Sequence, residues 1–171
     1  GVACGIKPSG KKDVALIVSD IPATAVAAFT TNKVKAAPVL IGQQRIKSGR
    51  LQAIVVNSGN ANASTAQPGL RLAHDACALV GQTLAIPESL VFPSSTGKSG
   101  VLPPWEKMNA GIQAASKSLS PRGFWRALAG IMTTDAFPKA AVRQTLIGGR
   151  TVTVAGMAKG AGMINPNMAT M

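Results

Sequence analysis

The chain has 171 residues, of which 46% are hydrophobic and only 14% are charged. This length suits one domain with a substantial core, and the composition excludes a disordered chain. Because its apolar runs are far shorter than the roughly 20 residues of a spanning helix, we expect no membrane-crossing segment. The net charge is +12, but no nucleic-acid-binding motif accompanies the basic residues. An acidic substrate or an acidic partner therefore explains the charge better than nucleic acid does.

The residues that usually build metal or disulfide sites are sparse. Cys4 and Cys77 form no CxxC pair, which predicts reduced, packed thiols. His74 is the only histidine, and the six carboxylates are scattered without metal-ligand spacing. These counts argue against a Ser-His-Asp triad and predict no metal site.

The first third of the chain predicts strands. Residues 13–19 form a short run rich in Val and Ile between turn residues, and residues 51–57 form the clearest strand pattern. Residues 25–30 and 39–42 are weaker strand candidates, separated by a break at Pro38. Strand 51–57 leads into residues 58–64, whose small and amide side chains predict a loop.

Helical spacing follows from Pro68 to Leu84 and should end before Pro87. Further helices are predicted over residues 104–118 and 122–132, and strands over residues 89–93, 144–147 and 151–155. The last two strands flank Gly148-Gly149 and predict a hairpin. The whole chain is therefore expected to be a single mixed α/β (α+β) domain over residues 1–171.

A second small-residue loop is predicted over residues 94–100. It contains Gly97-Lys98-Ser99, but a phosphate-binding loop needs a Gly where Phe92 stands. Backbone N–H groups beside Gly97 could hold an oxyanion, and a plain polar turn is the alternative.

Two polar positions of the second half carry weaker indications. Asp135 follows Thr133-Thr134 at a predicted helix end, where a structural cap or ion pair is the simpler interpretation. Lys159 lies in a Gly-rich segment, where a solvated lysine is the simpler interpretation.

Several long motifs together change this balance. They are KKDVALIVSD at 11–20, TTNKVKAAPV at 30–39, VNSGNANA at 56–63, SSTG at 94–97, IMTTDAFPK at 131–139 and MAKGAGMINPNMATM at 157–171. In this order and spacing they resemble the ornithine acetyltransferase (glutamate N-acetyltransferase) family. The resemblance implies the layered α-β-β-α sandwich of a self-processing N-terminal-nucleophile enzyme. This chain would be its α chain, the N-terminal half of the precursor, and a β chain would complete it.

The resemblance also implies roles for particular residues. The cut would fall between Ala169 and Thr170, and Thr170 would become the nucleophile and contact substrate. Thr96 and Gly97 would form the oxyanion hole, while Thr133 and Lys159 would bind substrate. The given chain continues to Met171, so it would be an uncut or truncated form, or the cut would lie elsewhere.

The implied reaction moves the acetyl group of N-acetylornithine to glutamate through an acetyl-threonine, in arginine biosynthesis. The free α-amine of Thr170, with a pKa near 8, would serve as its base. No cofactor is implied, and direct use of acetyl-CoA as a substrate is left open. The implied assembly is an α2β2 heterotetramer without nucleic acid or membrane partners. It would be cytoplasmic, or in the mitochondrial matrix in a fungus.

Two alternatives from other classes are kept. A related self-processing amidase or aminopeptidase would share the nucleophile but release the acyl group to water. A basic nucleic-acid-binding or subunit-binding module would need no catalytic residue. We also expect residues 1–171 to need their partner chain, and to aggregate or fold poorly alone.

Overall fold

The computed structural model describes residues 1–162 and residue 168. The strands are β1 (Val14–Thr24), β2 (Arg50–Asn60), β3 (Val91–Lys98), β4 (Lys139–Ile147) and β5 (Arg150–Ala158). The α-helices of the described residues are α1 (Ala37–Arg45), α2 (Ala66–Leu84), α3 (Trp105–Lys117) and α4 (Phe124–Ile131). One sheet has the order β1-β2-β3, with β1 antiparallel and β3 parallel to β2. A separate hairpin consists of β4 and β5.

The main core lies between the sheet and helices α2 and α3. Alternate residues of the strands point to one face, where Val14, Val55 and Val91 meet Val80 of α2 and Ile112 of α3. Helix α2 is also the connection that parallel pairing of β2 and β3 requires. This layer fixes the strand ends that carry the SSTG and VNSGNANA motifs.

The opposite face of the sheet has a smaller cover. Ala15 and Val56 pack against Ala127 of α4, and the half-buried Met157 of β5 reaches the same cluster. Helix α4 thus places the IMTTDAFPK segment next to β1 and β2. The base of the hairpin is attached to the sheet at Met157.

The hairpin beyond that base is almost entirely exposed. Its register places Val142 and Leu146 on one face and Ile147, Val152 and Val154 on the other. Leu146 is 72% and Val154 62% exposed. Within the described chain, both apolar faces of the hairpin are uncovered. Since a lone two-stranded hairpin is only marginally stable in water, these faces need packing against another element to stabilise them.

Most element types are as predicted. The helix expected from Pro68 to Leu84 and the two that follow are observed, as are the strands around residues 13–19, 51–57 and 89–93. The hairpin turn at Gly148-Gly149 is also confirmed, with longer strands than predicted. Cys4 and Cys77 are both free thiols, and burial raises the pKa of each to about 12.

Three local predictions were wrong. Residues 39–42 lie in helix α1, because Pro38 occupies its first turn, where proline fits a helix. Residues 25–30 have no regular structure. The expected loops at 58–64 and 94–100 begin as strand, since Ser58, Gly59 and Asn60 pair with residues 96–98.

None of the helices among residues 1–162 is both long and apolar enough to cross a bilayer.

Candidate active site

The predicted oxyanion residues lie at the end of β3. Thr96 pairs in register with Ser58 and Gly97 with Gly59, and Thr96 is half-buried. Gly97 has a φ of +132°. A Cβ there would penetrate the Gly59 carbonyl and lie 2.7 Å from the Asn60 nitrogen. Only glycine therefore fits between these two strand ends.

Position 59 also requires a glycine, because its backbone lies against the N-terminal turn. It has a φ of +123°, and an added Cβ would lie 2.8 Å from Ile6 Cγ2 and 3.5 Å from Lys7 Cγ. The side chains of Ile6 and Lys7 consequently pack directly on the Gly59 backbone, which in turn contacts Gly97. This packing fixes the position of the Gly97 backbone from behind.

The amides of the VNSGNANA motif are buried and hydrogen-bonded. Asn57 donates to the Asn60 carbonyl at 2.8 Å and accepts a hydrogen bond from the Ser95 hydroxyl. Asn62 donates to the Gly69 carbonyl at 2.9 Å. Because these groups are satisfied inside the protein, they support the end of β3 rather than form a mobile loop.

Thr133 follows α4, and two side chains bond to the carbonyls just before it. The Ser58 hydroxyl donates to the Gly130 carbonyl, and Lys7 Nζ donates to the Met132 carbonyl at 2.6 Å. Ser58 is the register partner of Thr96. Strand β2 and α4 therefore connect the oxyanion segment to the half-buried Thr133.

Lys7 is a buried lysine that sequence analysis missed. Its Nζ also donates to the Lys12 carbonyl at 2.6 Å, and its backbone N–H donates to Asp13 at 3.1 Å. Burial lowers the pKa of Lys7, and the charges of Asp13 and Asp135 oppose this shift. The sequence offered little indication of this role, because Lys7 stands among several lysines of a polar turn.

Asp13 organises the same turn. Its carboxylate accepts N–H hydrogen bonds from Cys4 at 2.8 Å and Ile6 at 2.7 Å, besides that of Lys7. The residue is fully buried. Its position directly before a buried strand was visible in the sequence, but its three backbone donors were not.

Asp135 is the most connected polar side chain of the second half. Its fully buried carboxylate accepts hydrogen bonds from the Thr133 N–H at 3.0 Å, the Lys139 ammonium at 2.8 Å and the Gly160 N–H at 2.6 Å. Burial alone would raise the pKa of Asp135, but these three donors outweigh it and hold the pKa well below its usual range. The structural interpretation of Asp135, as a cap and ion-pair partner, is confirmed.

Lys159 stands directly before Gly160 at the end of the hairpin. It is half-buried, and burial lowers its pKa while the charge of Asp135 raises it. Among the described residues, no carboxylate forms an ion pair with Lys159. The side chain is only partly solvated.

The tail is described at Met168. Its carbonyl accepts hydrogen bonds from the Thr31 N–H at 2.6 Å, the Thr31 hydroxyl at 2.9 Å and the Thr30 hydroxyl at 3.2 Å. The TTNKVKAAPV motif thus contacts the segment that carries the expected cut. The predicted residues Ala169 and Thr170 lie outside the described residues.

The predicted site residues fall into two connected groups. Asp135 is hydrogen-bonded to the Thr133 N–H and to the N–H of Gly160, the residue after Lys159. The contacts of β2 with α4 connect Thr96 and Gly97 to Thr133. A groove of about 560 Å³ beside β1 and α4 contains none of these four predicted site residues in its lining.

This arrangement defines a mixed α/β protein whose polar site lies at the ends of two parallel strands. The strand ends approach closely at Gly59 and Gly97, and the Asp135 carboxylate is buried close to Thr133 in the sequence. The ArgJ family matches residues 1–171. The chain belongs to the ArgJ family.

Relatives with this architecture are known in sequence and in structure. The arginine biosynthesis bifunctional protein ArgJ of Symbiobacterium thermophilum is 52% identical over 163 residues, which are 95% of this chain and 40% of that protein. The corresponding ArgJ of Caldanaerobacter subterraneus is 50% identical over 171 residues, which are 100% of this chain and 42% of that protein. The chain thus spans about two-fifths of their length.

Two crystal structures are similar throughout. ArgJ of Bacillus halodurans has a TM-score of 0.89 and 40% identity, covering 96% of this chain and 86% of that one. Ornithine acetyltransferase of Mycobacterium tuberculosis, complexed with ornithine, has a TM-score of 0.88 and 41% identity, covering 96% and 88%. The predicted mixed α/β class and family are therefore confirmed.

Proposed function

We propose that this chain is the α portion of an ornithine acetyltransferase that moves an acetyl group from N-acetylornithine to glutamate. The observation that carries the proposal is the similarity over nearly the whole chain to an ornithine acetyltransferase solved with ornithine. The contacts of Thr133, Lys159 and Asp135 support it, because they bring a hydroxyl and a cation into one polar region.

The proposed mechanism begins with self-cleavage. The Thr170 hydroxyl attacks the Ala169 carbonyl carbon, the peptide C–N bond breaks and an ester forms. Water hydrolyses this ester, which leaves a carboxylate on Ala169 and a free amine on Thr170. This amine, with an ordinary pKa near 8, can then accept the proton of its own hydroxyl.

Acetyl transfer then uses the same hydroxyl. Thr170 attacks the acetyl carbonyl of N-acetylornithine, its amine takes the proton, and Thr96 with Gly97 stabilises the oxyanion. The ornithine amine leaves with that proton, and an acetyl-threonine remains. The amine of glutamate attacks this ester, so that N-acetylglutamate leaves and the threonine hydroxyl is restored. Lys159 binds the substrate carboxylate and Thr133 orients the substrate.

The proposed partner is the remainder of the precursor, acting as a β chain in an α2β2 assembly. Two observations support it: the chain spans about two-fifths of its relatives, and the β4–β5 hairpin exposes apolar residues on both faces. Covering these faces would complete the α-β-β-α layers. We further propose that the assembly works in the cytoplasm without a cofactor.

The deciding experiment uses the full-length protein with N-acetylornithine and glutamate. Ornithine and N-acetylglutamate should appear in equal amounts. Free acetate in place of N-acetylglutamate would contradict the transferase and favour a self-processing amidase. Thr170→Ala should give one uncut, inactive chain by intact mass, whereas Thr170→Ser should retain part of both activities because it keeps a hydroxyl.

The oxyanion role is tested separately at Thr96. Thr96→Val keeps the shape but removes the hydroxyl, so acetyl transfer should slow by roughly 10²-fold if that hydroxyl stabilises the oxyanion. Thr134→Val, at an exposed position, is the matched control. Equal rates in the two variants would assign the oxyanion contacts to backbone groups alone.

A second activity, acetylation of glutamate by acetyl-CoA, is proposed because the relatives are described as bifunctional. Release of free CoA that depends on glutamate would support it. No release by an enzyme that transfers acetyl from N-acetylornithine would contradict it.

A further inference from the structure

Asp135 joins its own turn and the start of β4 to the end of the hairpin, 25 residues further along the chain. It accepts from Thr133 in the turn after α4, from Lys139 at the start of β4 and from Gly160 after β5. Two of these donors are backbone N–H groups, and the side chain is completely buried. A carboxylate with three donors and no solvent holds the backbone more rigidly than a surface ion pair would.

The bond to Thr133 fixes one peptide unit from both ends. Its N–H donates to Asp135, while the carbonyl of the same unit, on Met132, accepts from Lys7 Nζ at 2.6 Å. A peptide unit held at both its donor and its acceptor has little freedom to rotate. The Cα position of Thr133 is therefore set by Asp135 and Lys7 together.

The bond to Gly160 acts in the same way on Lys159. The Gly160 N–H belongs to the peptide unit that carries the Lys159 carbonyl, and Gly160 is buried with a φ of +143°. Asp135 thereby sets the direction in which the chain leaves Lys159. One carboxylate thus holds the backbones on both sides of the proposed substrate contacts.

The charge of Asp135 is already balanced within this cluster. Lys139 Nζ lies 2.8 Å from its carboxylate, and the two N–H groups fill further acceptor positions. Lys159 feels the carboxylate as a charge that favours its protonated form, but within the described chain it forms no ion pair with it. Its ammonium remains available for a ligand.

We propose that Asp135 is a positioning residue that sets the separation and orientation of Thr133 and Lys159, and so determines how tightly the amino-acid substrate is bound. This inference rests on the proposed function, in which both residues contact substrate. Asp135 itself touches neither substrate nor the reacting atoms.

The test compares two variants of the full-length protein. Asp135→Asn replaces one acceptor oxygen by an NH₂ group, so at least one of the two backbone N–H bonds is lost. Lys139→Met removes the ammonium but leaves both backbone bonds, and it is the matched control for lost stability. We expect Asp135→Asn to raise KM for N-acetylornithine by roughly 10- to 100-fold, with a smaller change in kcat. Lys139→Met should keep KM within about threefold of wild type at a comparable loss in Tm.

A purely structural role would give a different pattern. Equal KM values in the two variants, or a fall in kcat alone, would overturn the proposal. Asp135→Glu keeps the charge but shifts the carboxylate by one methylene, and it should also raise KM. If Asp135→Asn does not fold, the KM of Asp135→Glu is compared with that of Lys139→Met instead, and equal values would overturn the proposal.

Failure of the proposed function is distinguishable from failure of this inference. If wild type transfers no acetyl group, the transferase proposal fails, and amide hydrogen exchange decides the role of Asp135. Faster exchange of the Thr133 and Gly160 amides in Asp135→Asn, but not in Lys139→Met, supports positioning. Unchanged exchange at both amides overturns it.

Discussion

The three-stranded sheet and the β4–β5 hairpin differ in where their stabilising contacts lie. Val14, Val91 and Ile112 of the sheet region are fully buried, and each contacts side chains from other elements of the same chain. In the hairpin, Leu146 and Val154 remain 72% and 62% exposed. The sheet region therefore carries its own core, whereas the hairpin exposes apolar side chains that the proposed partner chain would cover.

The largest expected effect concerns assembly. Val154→Asp in the full-length protein should prevent the hairpin from being covered, because a charge would be buried without a partner. Sedimentation should show loss of the assembled species. Val26→Asp, at a 94% exposed position outside the hairpin, is the control and should assemble normally. Identical behaviour of the two variants would mean that the hairpin is not an interface.

The next effect lies inside the sheet region. Gly97→Ala would force a Cβ into the Gly59 backbone, so both the fold at the strand end and acetyl transfer should suffer, the latter by roughly 10²-fold or more. Gly100→Ala also has a positive φ, +77°, but nothing lies within 4 Å of its added Cβ. That control should cost only about 1–2 kcal/mol of unfolding free energy. Similar turnover in both variants would show that the close approach of Gly97 to the Gly59 backbone is not what requires a glycine for activity.

Acid should separate the two regions. The pKa of Asp135 is lowered in the folded protein, against about 3.9 when unfolded. Its contribution to stability is therefore complete above about pH 5 and is lost as the pH falls from there toward the folded-state pKa. We expect ionised Asp135 to contribute about 1–3 kcal/mol to the free energy of unfolding. Its loss should first loosen the junction with the hairpin. Urea unfolding from pH 6 to pH 2 should show a steeper decline for wild type than for Asp135→Asn. Asp20→Asn controls for removal of an exposed charge, and parallel curves for wild type and Asp135→Asn would refute the linkage.

The smallest effect is kinetic and concerns Met168. Thr31→Val removes one of the three donors to its carbonyl, so self-cleavage of the precursor should slow by roughly three- to tenfold. The fold should be retained, because the Thr31 N–H still donates. Thr24→Val, at the exposed end of β1, provides the reference rate in a gel-based time course. An unchanged rate would show that this contact does not order the cleavage segment.

Sequence periodicity was sufficient for elements that bury one regular face. Helix α2 and strands β1 and β2 follow from patterns that a single segment contains. Residues 39–42 were misassigned because a short apolar run after a proline suits either a strand or a first helical turn. Contacts with the neighbouring helix and with Phe92 select the helix.

The site was only partly accessible to the same reasoning. The motifs supplied the candidate residues, but the contact of Asp135 with the Gly160 N–H, 25 residues further along the chain, forms only after folding. Lys7 shows the same limit, because nothing in its local sequence distinguishes it from the lysines around it. Long-range hydrogen bonds to backbone groups leave no periodic trace in a sequence.

The double attachment of the Met132–Thr133 peptide unit has a thermodynamic consequence for ligand binding. A polar turn after a helix would ordinarily lose conformational entropy when a substrate orders it, at about 1–2 kcal/mol per residue. Here Lys7 and Asp135 restrict this unit before any ligand arrives. The entropy is lost during folding instead, and a substrate bound at Thr133 as proposed would meet a surface that is already ordered.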